Sequence, residues 1–460
     1  MSRKRMSWSM AVLGSGLFAS NLMAANVAVI DSGLDVNHPK LAEQVWINPA
    51  DATYDQADND NNGFVDDVYG WNFVNNNGIL IDLKHSQLLN TDVRRFFELQ
   101  GKSLAGSASE EEKAWMKAKI TDKAFIKRLS TYGAFAHGTH VAGIVAQQSP
   151  LVKVSGIKLI PTENPLGSVR YQVEHALMED QDINRILSVI LKGGLILVAK
   201  AQAKALAPIG TYVGSLDMPV VNGSFGIGQT QAKMLLTPLL KLALRGAEPS
   251  TAQVDEFAHF FLQQLSREQA VLVRNAPESL FVFAAGNDGS DNDKFPTAPA
   301  SIQHPHVMSV AAAFEDGHLA PFSNYGLSVD VAAPGVAVLS AAPNGERIAL
   351  SGTSQAAPAV AGIAAAIKAE NPDLGPQDLK KIIMATVDVK AELKGKVKSS
   401  GIVNRARALV AATLSRSQPL EGAIAEARKT VSDAVVKPLA PNGFRAMGTL
   451  INLEPAFLLN

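Results

Sequence analysis

Residues 26–33 read NVAVIDSG, an apolar run that stops at an aspartate, Asp31, followed by a serine and a glycine. Short runs of β-branched and apolar residues that end at turn formers are typical of buried strands. Four further runs have the same character: residues 152–160 (VKVSGIKLI), 218–222 (MPVVN), 280–285 (LFVFAA) and 307–311 (VMSVA). We therefore predict a series of buried strands, the first of which delivers a carboxylate at its carboxyl end.

Helical patterns separate these strands and indicate crossover connections. The expected fold is therefore an α/β domain with a mostly parallel sheet flanked by helices. Residues 26–416 are predicted to form this domain, and residues 417–460 a C-terminal tail. Two stretches, about residues 84–130 and 161–265, look like helical insertions, and we expect both to lie at the surface. In such sheets, functional residues gather at the carboxyl ends of the strands.

The composition excludes several classes of protein. The 460 residues include 42 Lys and Arg against 43 Asp and Glu, and this balance argues against a nucleic-acid partner. The chain has no cysteine, which excludes disulfides, thiolate zinc sites, iron–sulfur clusters and cysteine nucleophiles.

The N-terminus has the pattern of a targeting segment. A basic head at residues 3–5 precedes a mostly apolar run at residues 10–22 and a small-residue site at residues 23–25. We predict a cleaved signal peptide over residues 1–25, which implies a secreted or periplasmic protein without stable membrane insertion after cleavage. An uncleaved anchor, or a merely apolar terminus, is the alternative.

Three short strings carry the residue types of serine catalysis. They are residues 29–33 (VIDSG), 137–143 (HGTHVAG) and 351–358 (SGTSQAAP). This chemistry needs a hydroxyl, an imidazole that accepts its proton and a carboxylate that orients the imidazole. Taken singly, an aspartate after a strand is usually a turn residue, and a serine before a helix is usually a cap. Spacing alone does not choose between His137 and His140.

The strings together resemble those of the subtilisin-like serine peptidases, the subtilases. Supporting strings in the family order are residues 156–158 (GIK), 222–226 (NGSFG), 284–287 (AAGN), 322–326 (FSNYG), 332–335 (AAPG) and 401–404 (GIVN). The resemblance implies a three-layer subtilisin-like domain. It also implies Asp31 as the orienting carboxylate, His137 as the general base, Ser354 as the nucleophile and Asn287 as an oxyanion-hole donor. By the same pattern His140 is a structural helix residue.

Two further segments match the strands that pair with substrate and wall the main specificity pocket in this family: Ser224, Phe225 and Gly226, and Ala284, Ala285 and Gly286. The resemblance implies a secreted serine endopeptidase that cleaves proteins or peptides through an acyl-enzyme, without a catalytic cofactor, and we expect it to be a monomer. Two alternatives remain open. One is a catalytically silent binding protein of the same fold, and the other is a serine esterase or amidase that acts on small substrates.

Residues 58–67 read DNDNNGFVDD, which is the start of an EF-hand-type calcium loop. The twelfth position is Tyr69 rather than glutamate, so a complete EF-hand is not expected. The predicted structural calcium site uses Asp58, Asp60, Asn62, the carbonyl of Phe64, Asp66 and Asp67. The alternative is a surface turn rich in asparagine and aspartate.

Overall fold

A nine-stranded sheet forms the centre of the protein in a computed structural model that describes residues 24–163 and 185–434. Its strands are β1 (Ala25–Asp31), β2 (Gly70–Asn72), β3 (Val152–Lys158), β4 (Val220–Gly223), β5 (Leu280–Ala284), β6 (Val307–Ala313), β7 (Val331–Pro334), β10 (Asp388–Val389) and β11 (Gly401–Ile402). The spatial order is β10-β11-β7-β6-β5-β4-β1-β3-β2. Every neighbouring pair is parallel except β10 and β11. The predicted α/β fold with a mostly parallel sheet is confirmed.

Helices pack on both faces of this sheet. The helices of the described chain are α1 (Thr91–Leu104), α2 (Glu110–Lys119), α3 (Lys123–Ala146), α4 (Arg185–Ser215), α5 (Gln229–Ala243), α6 (Thr251–Gln269), α7 (Val271–Arg274), α8 (Thr353–Glu370), α9 (Pro376–Ala385), α10 (Arg405–Leu414) and α11 (Leu420–Thr430). A separate antiparallel hairpin joins β8 (Val338–Ala342) to β9 (Glu346–Leu350).

The alternation of side chains along β1 explains the layers. Val27 and Val29 belong to a core shared with α3, α8 and α9, whereas Ala28 and Ile30 belong to a core shared with α4. Successive residues of a strand point to opposite faces, so both faces of this strand are apolar and both are covered. All four side chains are buried.

The first predicted insertion forms α1, α2 and the beginning of α3. Three phenylalanines, Phe96, Phe97 and Phe125, form a small core of their own together with Tyr132. This core also includes Ile348 of β9. The segment is therefore a packed helical addition that rests on the hairpin.

The second predicted insertion is not peripheral throughout, which corrects the expectation of a surface location. It includes β4, an interior strand of the sheet, and the second half of α4 packs on the sheet through Leu206, Ile209 and Tyr212. Only the first half of α4, together with α5 and α6, forms a separate helical cluster, which includes Leu195, Leu236 and Phe261. Residues 164–184 of this stretch lie outside the described part.

The C-terminal part of the described chain packs on the domain. Helix α11 buries Ile424 and Ala427 in the same core as α8 and α9. Arg407 of α10 is buried, and its guanidinium contacts Asp388 at 3.1 Å and Asp433 at 2.7 Å. The boundary between residues 416 and 417 remains a prediction. Helix α11 follows this boundary in the sequence and is attached to the core.

The predicted signal peptide over residues 1–25 falls almost wholly outside the described residues. Within the described ranges, no helix is both long enough and apolar enough to cross a membrane.

Candidate functional site

Three residues from the sequence analysis lie on elements that end or begin at the carboxyl edge of the sheet. Asp31 ends β1, His137 lies within α3, and Ser354 is the second residue of α8. Their exposed fractions are only 1%, 3% and 1%. Because α3 and α8 pack against each other and against β1, residues far apart in the sequence meet at this edge.

The contact between Asp31 and His137 is direct. Nδ1 of His137 lies 2.8 Å from Oδ1 of Asp31, and the backbone N–H of Ser32 donates to the same oxygen at 2.7 Å. Since Nδ1 faces a carboxylate, it carries the hydrogen, and Nε2 of a neutral ring then presents its lone pair. The other oxygen of Asp31, Oδ2, is buried and has no hydrogen-bond partner within the described residues.

A glycine allows α3 to approach β1 so closely. A β-carbon on Gly138 would lie 2.1 Å from the carbonyl oxygen of Gly33 and 3.1 Å from the β-carbon of Asp31. Any larger residue after His137 would push the helix away from the strand. The backbone N–H of Gly138 also donates to the hydroxyl of Ser32 at 3.1 Å. The short string HGTH therefore sets the distance between the imidazole and the carboxylate.

Ser354 is held at the amino end of α8 by contacts with the end of β4. Its hydroxyl donates to the carbonyl oxygen of Ser224 at 3.1 Å, and the hydroxyl of Ser224 donates to the carbonyl oxygen of Ser354 at 3.0 Å. The Ser354 backbone N–H belongs to the first turn of an 18-residue helix, where N–H groups and the positive end of the helix dipole favour negative charge. The hydroxyl that could act as a nucleophile therefore lies where the helix can stabilise a negative charge.

The amide of Asn287 points to the same place. Its Oδ1 accepts from the backbone N–H of Thr353 at 2.9 Å and from the Thr353 hydroxyl at 3.1 Å, which turns Nδ2 away from Thr353. Nδ2 lies 3.3 Å, and the backbone nitrogen of Ser354 3.7 Å, from the point where a β-carbon of Gly352 would lie. Two N–H donors therefore lie on one side of this position, and the side-chain oxygen Oε1 of Gln355 lies 2.8 Å from it. Sequence reasoning did not assign a role to Thr353.

A buried lysine stands beside Asp31. Lys158 is opposite Asp31 in the register of β3 and β1, is 7% exposed, and donates from Nζ to the carbonyl oxygen of Ser32. Burial lowers the pKa of Lys158 from 10.5 to about 8, whereas the negative charges of Asp31 and Asp82 act in the opposite direction. The carboxylate of Asp31 therefore has both an imidazole and an ammonium group near it.

His140 has a different environment from His137. Its Nε2 donates to the carbonyl oxygens of Val338 and Ile348 at 3.0 and 3.1 Å, which attaches α3 to the hairpin. Burial, with the neighbouring His137, lowers the pKa of His140 to about 3. A neutral, buried imidazole bonded to backbone fits the structural role that the resemblance implies.

The two predicted substrate segments lie on neighbouring strands. Ser224, Phe225 and Gly226 follow β4, and Ala284, Ala285 and Gly286 form the end of β5 and the residues after it, with β4 and β5 paired in parallel. All six residues are buried. Both segments therefore reach the edge that carries Ser354.

The acidic loop divides the predicted calcium ligands into two groups. Asp60 and Asp67 share the amide N–H groups of Asn48 and Asn62, at distances of 2.6 to 3.1 Å. Asp58 accepts the backbone N–H groups of Asn62 and Gly63. Burial raises the pKa of Asp67, against the lowering effect of its amide hydrogen bonds. The Phe64 ring packs on Trp71 and Tyr212.

Asp66 lies apart from that group and joins two aspartates that the sequence analysis did not include. One carboxylate oxygen from each of Asp51, Asp55 and Asp66 lies within 4.8 Å of the others. Asp51 is fully buried, and its Oδ2 has no hydrogen-bond partner within the described residues. The sequence gives no signal that separates Asp51 and Asp55 from other loop aspartates.

Comparisons with known proteins find relatives among the subtilisin-like proteases. Subtilisin-like protease 1 of Plasmodium falciparum (isolate 3D7) is 24% identical over 419 residues, which cover 86% of this chain and 44% of that protein. Subtilisin BL of Lederbergia lenta is 31% identical over 209 residues, 42% of this chain and 72% of that protein. The chain spans less than half the length of the first Plasmodium relatives that it matches.

Solved structures were compared as well. A cold adapted subtilisin-like serine proteinase is 20% identical, with a TM-score of 0.43, over 82% of this chain and 89% of that one. The sequence pattern of the Subtilase family matches residues 24–407, a range that includes Asp31, His137, Asn287 and Ser354. The chain therefore belongs to the subtilase family.

Proposed function

We propose that the protein is an exported serine endopeptidase that acts as a monomer on proteins or peptides. The observation that carries this proposal is the contact between Asp31 and His137 at 2.8 Å, at the sheet edge where Ser354 begins α8. Membership of the subtilase family supports it. Export is supported by the basic head and apolar run at the N-terminus.

In the proposed mechanism, Oγ of Ser354 attacks the carbonyl carbon of the scissile peptide bond while Nε2 of His137 takes the hydroxyl proton. The C–N bond then breaks, and the imidazolium gives that proton to the departing amine. A water molecule then attacks the acyl carbon while Nε2 of His137 takes its proton. The ester bond to Oγ breaks, and the imidazolium returns a proton to Ser354. Asp31 holds the imidazole in the required tautomer and stabilises its charged form.

The oxyanion of the tetrahedral intermediate would lie between Nδ2 of Asn287 and the backbone N–H of Ser354. Thr353 orients the Asn287 amide through two hydrogen bonds to Oδ1, so the donor is in place before substrate arrives. Donors that are fixed in advance stabilise developing charge without a reorganisation cost.

A structural calcium ion at the acidic loop is the second part of the proposal. Two oxygens bound to one Ca²⁺ at about 2.4 Å can be at most about 4.8 Å apart, and the oxygens of Asp51, Asp55 and Asp66 meet this limit. The buried Oδ2 of Asp51, close to two other carboxylates, supports a cation there. Asp51, Asp55 and Asp66 would hold the ion, and Asp58, Asp60, Asn62 and Asp67 would shape the loop around it.

A casein digestion time course tests the peptidase. Wild type is expected to degrade casein, and Ser354→Ala is expected to leave it intact, because the nucleophile is missing. Far-UV circular dichroism of both proteins checks that the variant is folded. Equal rates of casein cleavage by the two proteins would end the proposed mechanism.

Two rival functions give different results in related experiments. A catalytically silent binding protein would resist a fluorophosphonate probe, whereas the proposed enzyme is labelled at Ser354 and the Ser354→Ala variant is not. An esterase or amidase for small molecules would hydrolyse small esters but leave casein intact. Labelling of the wild-type protein together with casein cleavage supports the endopeptidase.

A further inference from the structure

One threonine lies between the two proposed substrate-binding segments. Cγ2 of Thr297 lies 3.4 Å from the position that a β-carbon of Gly226 would take. Its Oγ1 lies 3.1 Å from the corresponding position at Gly286. The same side chain therefore packs beside the backbone of both segments, and it is only 2% exposed. Two atoms lie closer still: the carbonyl oxygen of Ala298 is 2.9 Å from the Gly226 position, and Nδ2 of Asn324 is 2.5 Å from the Gly286 position.

Hydrogen bonds fix this side chain in place. Oγ1 of Thr297 donates to Oδ1 of Asn292 at 3.1 Å and accepts from Nδ2 of Asn324 at 3.1 Å. Nδ2 of Asn324 also donates to Oδ1 of Asn292 at 3.0 Å, which closes a triangle of three polar groups. Rotation of Thr297 out of the way would remove one hydrogen bond from each of two buried amides, which is costly.

The triangle is attached to both segments. Nδ2 of Asn292 donates to the carbonyl oxygen of Ala285 at 2.8 Å. On the other side, Ala298 exchanges two backbone hydrogen bonds with Ile227, at 2.9 and 3.1 Å. Asn292 and Asn324 are 4% and 0% exposed. The floor between the segments is therefore rigid, polar and close to the backbone of both.

We propose that this floor makes the main specificity pocket shallow, so that the protein cleaves after small residues such as glycine, alanine and serine. The inference rests on the proposed peptidase function and adds the class of substrate. A phenylalanine or leucine before the scissile bond would need the volume that Thr297 occupies, and its apolar end would face hydroxyl and amide groups. Burial of an apolar side chain against such groups is unfavourable.

A peptide series tests the pocket. Four nitroanilide peptides share one sequence and differ only in the last residue, which is alanine, serine, leucine or phenylalanine. For wild type we expect kcat/KM for the alanine peptide to exceed that for the phenylalanine peptide by about 100-fold or more, since each excess methylene changes discrimination by about 10-fold or more. A phenylalanine peptide cleaved as well as the alanine peptide would overturn the proposal.

Two variants identify Thr297 as the cause. Thr297→Ser keeps the hydroxyl network and removes Cγ2, so the ratio of leucine to alanine cleavage is expected to rise about 10-fold. Thr297→Val keeps the size of the side chain and removes the hydroxyl, so it is expected to retain the preference for small residues. An unchanged ratio in the folded serine variant would overturn the assignment to Thr297.

Mass spectrometry of casein fragments separates the two levels of the proposal. Cleavage mainly after leucine, phenylalanine or tyrosine would overturn the shallow pocket and leave the peptidase standing. Cleavage mainly after small residues supports both. If wild type cleaves neither casein nor any of the peptides, the proposed function fails, and the pocket assignment fails with it.

Discussion

Two buried aspartates, Asp31 and Asp51, each leave one carboxylate oxygen without a hydrogen-bond partner in the described chain, yet their surroundings are opposite. Asp31 lies beside the imidazole of His137 and in the field of the Lys158 ammonium. Asp51 lies with two more carboxylates, Asp55 and Asp66. A buried negative charge is costly unless a positive charge accompanies it.

The difference shows how each region is balanced. At the sheet edge, the protein itself supplies the partners of the carboxylate: a hydrogen-bonded imidazole on α3 and the Lys158 ammonium group on β3. In the acidic loop, the carboxylates of Asp51, Asp55 and Asp66 lie together and have the same sign. The compensating charge would therefore have to be an external cation. Four changes can break or sharpen this contrast.

The largest effect is expected from Asp31→Asn. The amide keeps the shape of the side chain but removes the charge that orients His137 and stabilises its protonated form, so kcat on a peptide substrate should fall by about 10⁴-fold. The matched control is Asp82→Asn, which removes an exposed aspartate and should change kcat little. A folded Asp31→Asn protein with kcat within tenfold of wild type would contradict the assignment.

Asn287→Ala should reduce kcat by about 10²- to 10³-fold, with a smaller effect on KM, because it removes a donor to the oxyanion and not to the ground-state substrate. For Asn287→Ala, the difference between the free energies of unfolding in calcium and in EDTA should be the same as for wild type. A change confined to KM would argue against an oxyanion-hole role for this amide.

Removal of calcium should destabilise wild type and spare Asp51→Asn. At a calcium concentration 100-fold above Kd, one site adds about 2.7 kcal/mol to the free energy of unfolding. Urea unfolding of wild type should therefore show a difference of this order between calcium and EDTA, and Asp51→Asn should show little or none. Asp82→Asn serves again as the control and should behave like wild type. Identical unfolding curves of wild type in calcium and in EDTA would exclude the site.

The smallest expected effect comes from Lys158→Met, as a change in pH dependence. Below a pKa of about 8 Lys158 is charged and favours the Asp31 carboxylate, and above it this support is lost. Wild-type kcat/KM should therefore decrease several-fold as pH rises through about 8. The pH profile of Lys158→Met should lack this decrease, and its kcat/KM should be lower than that of wild type. The control is Lys84→Met, which removes an exposed lysine and should keep the decrease. If Lys158→Met kept the same decrease in kcat/KM as wild type, the decrease would belong to another titrating group.

Much of the fold follows from local pattern. The five predicted runs correspond to β1, β3, β4, β5 and β6, because a buried parallel strand must be apolar on both faces. The short strands β2, β10 and β11 have only two or three residues, too few to show a period. Helix α4 lies in the predicted helical insertion at residues 161–265, but the expected surface location is wrong for its second half, which packs on the sheet.

The strings around Asp31, His137 and Ser354 could be recognised in the sequence, because chemistry and close backbone approach restrict which residues stand there. Asp51 and Thr297 could not be assigned in that way. Their importance comes from neighbours that are distant along the chain or separated by a folded loop, and any exposed aspartate or threonine would look the same in the sequence.

By itself, then, the sequence determined the α/β class, the strand that carries Asp31 and the family resemblance, since these depend on short-range pattern. Only the tertiary structure decided that Thr353 orients Asn287, that Lys158 accompanies Asp31, that Asp66 joins Asp51 and Asp55, and that Thr297 lies between two glycines. The physical reason is that charge compensation and pocket depth depend on distances of a few ångströms between separate elements, which packing alone sets.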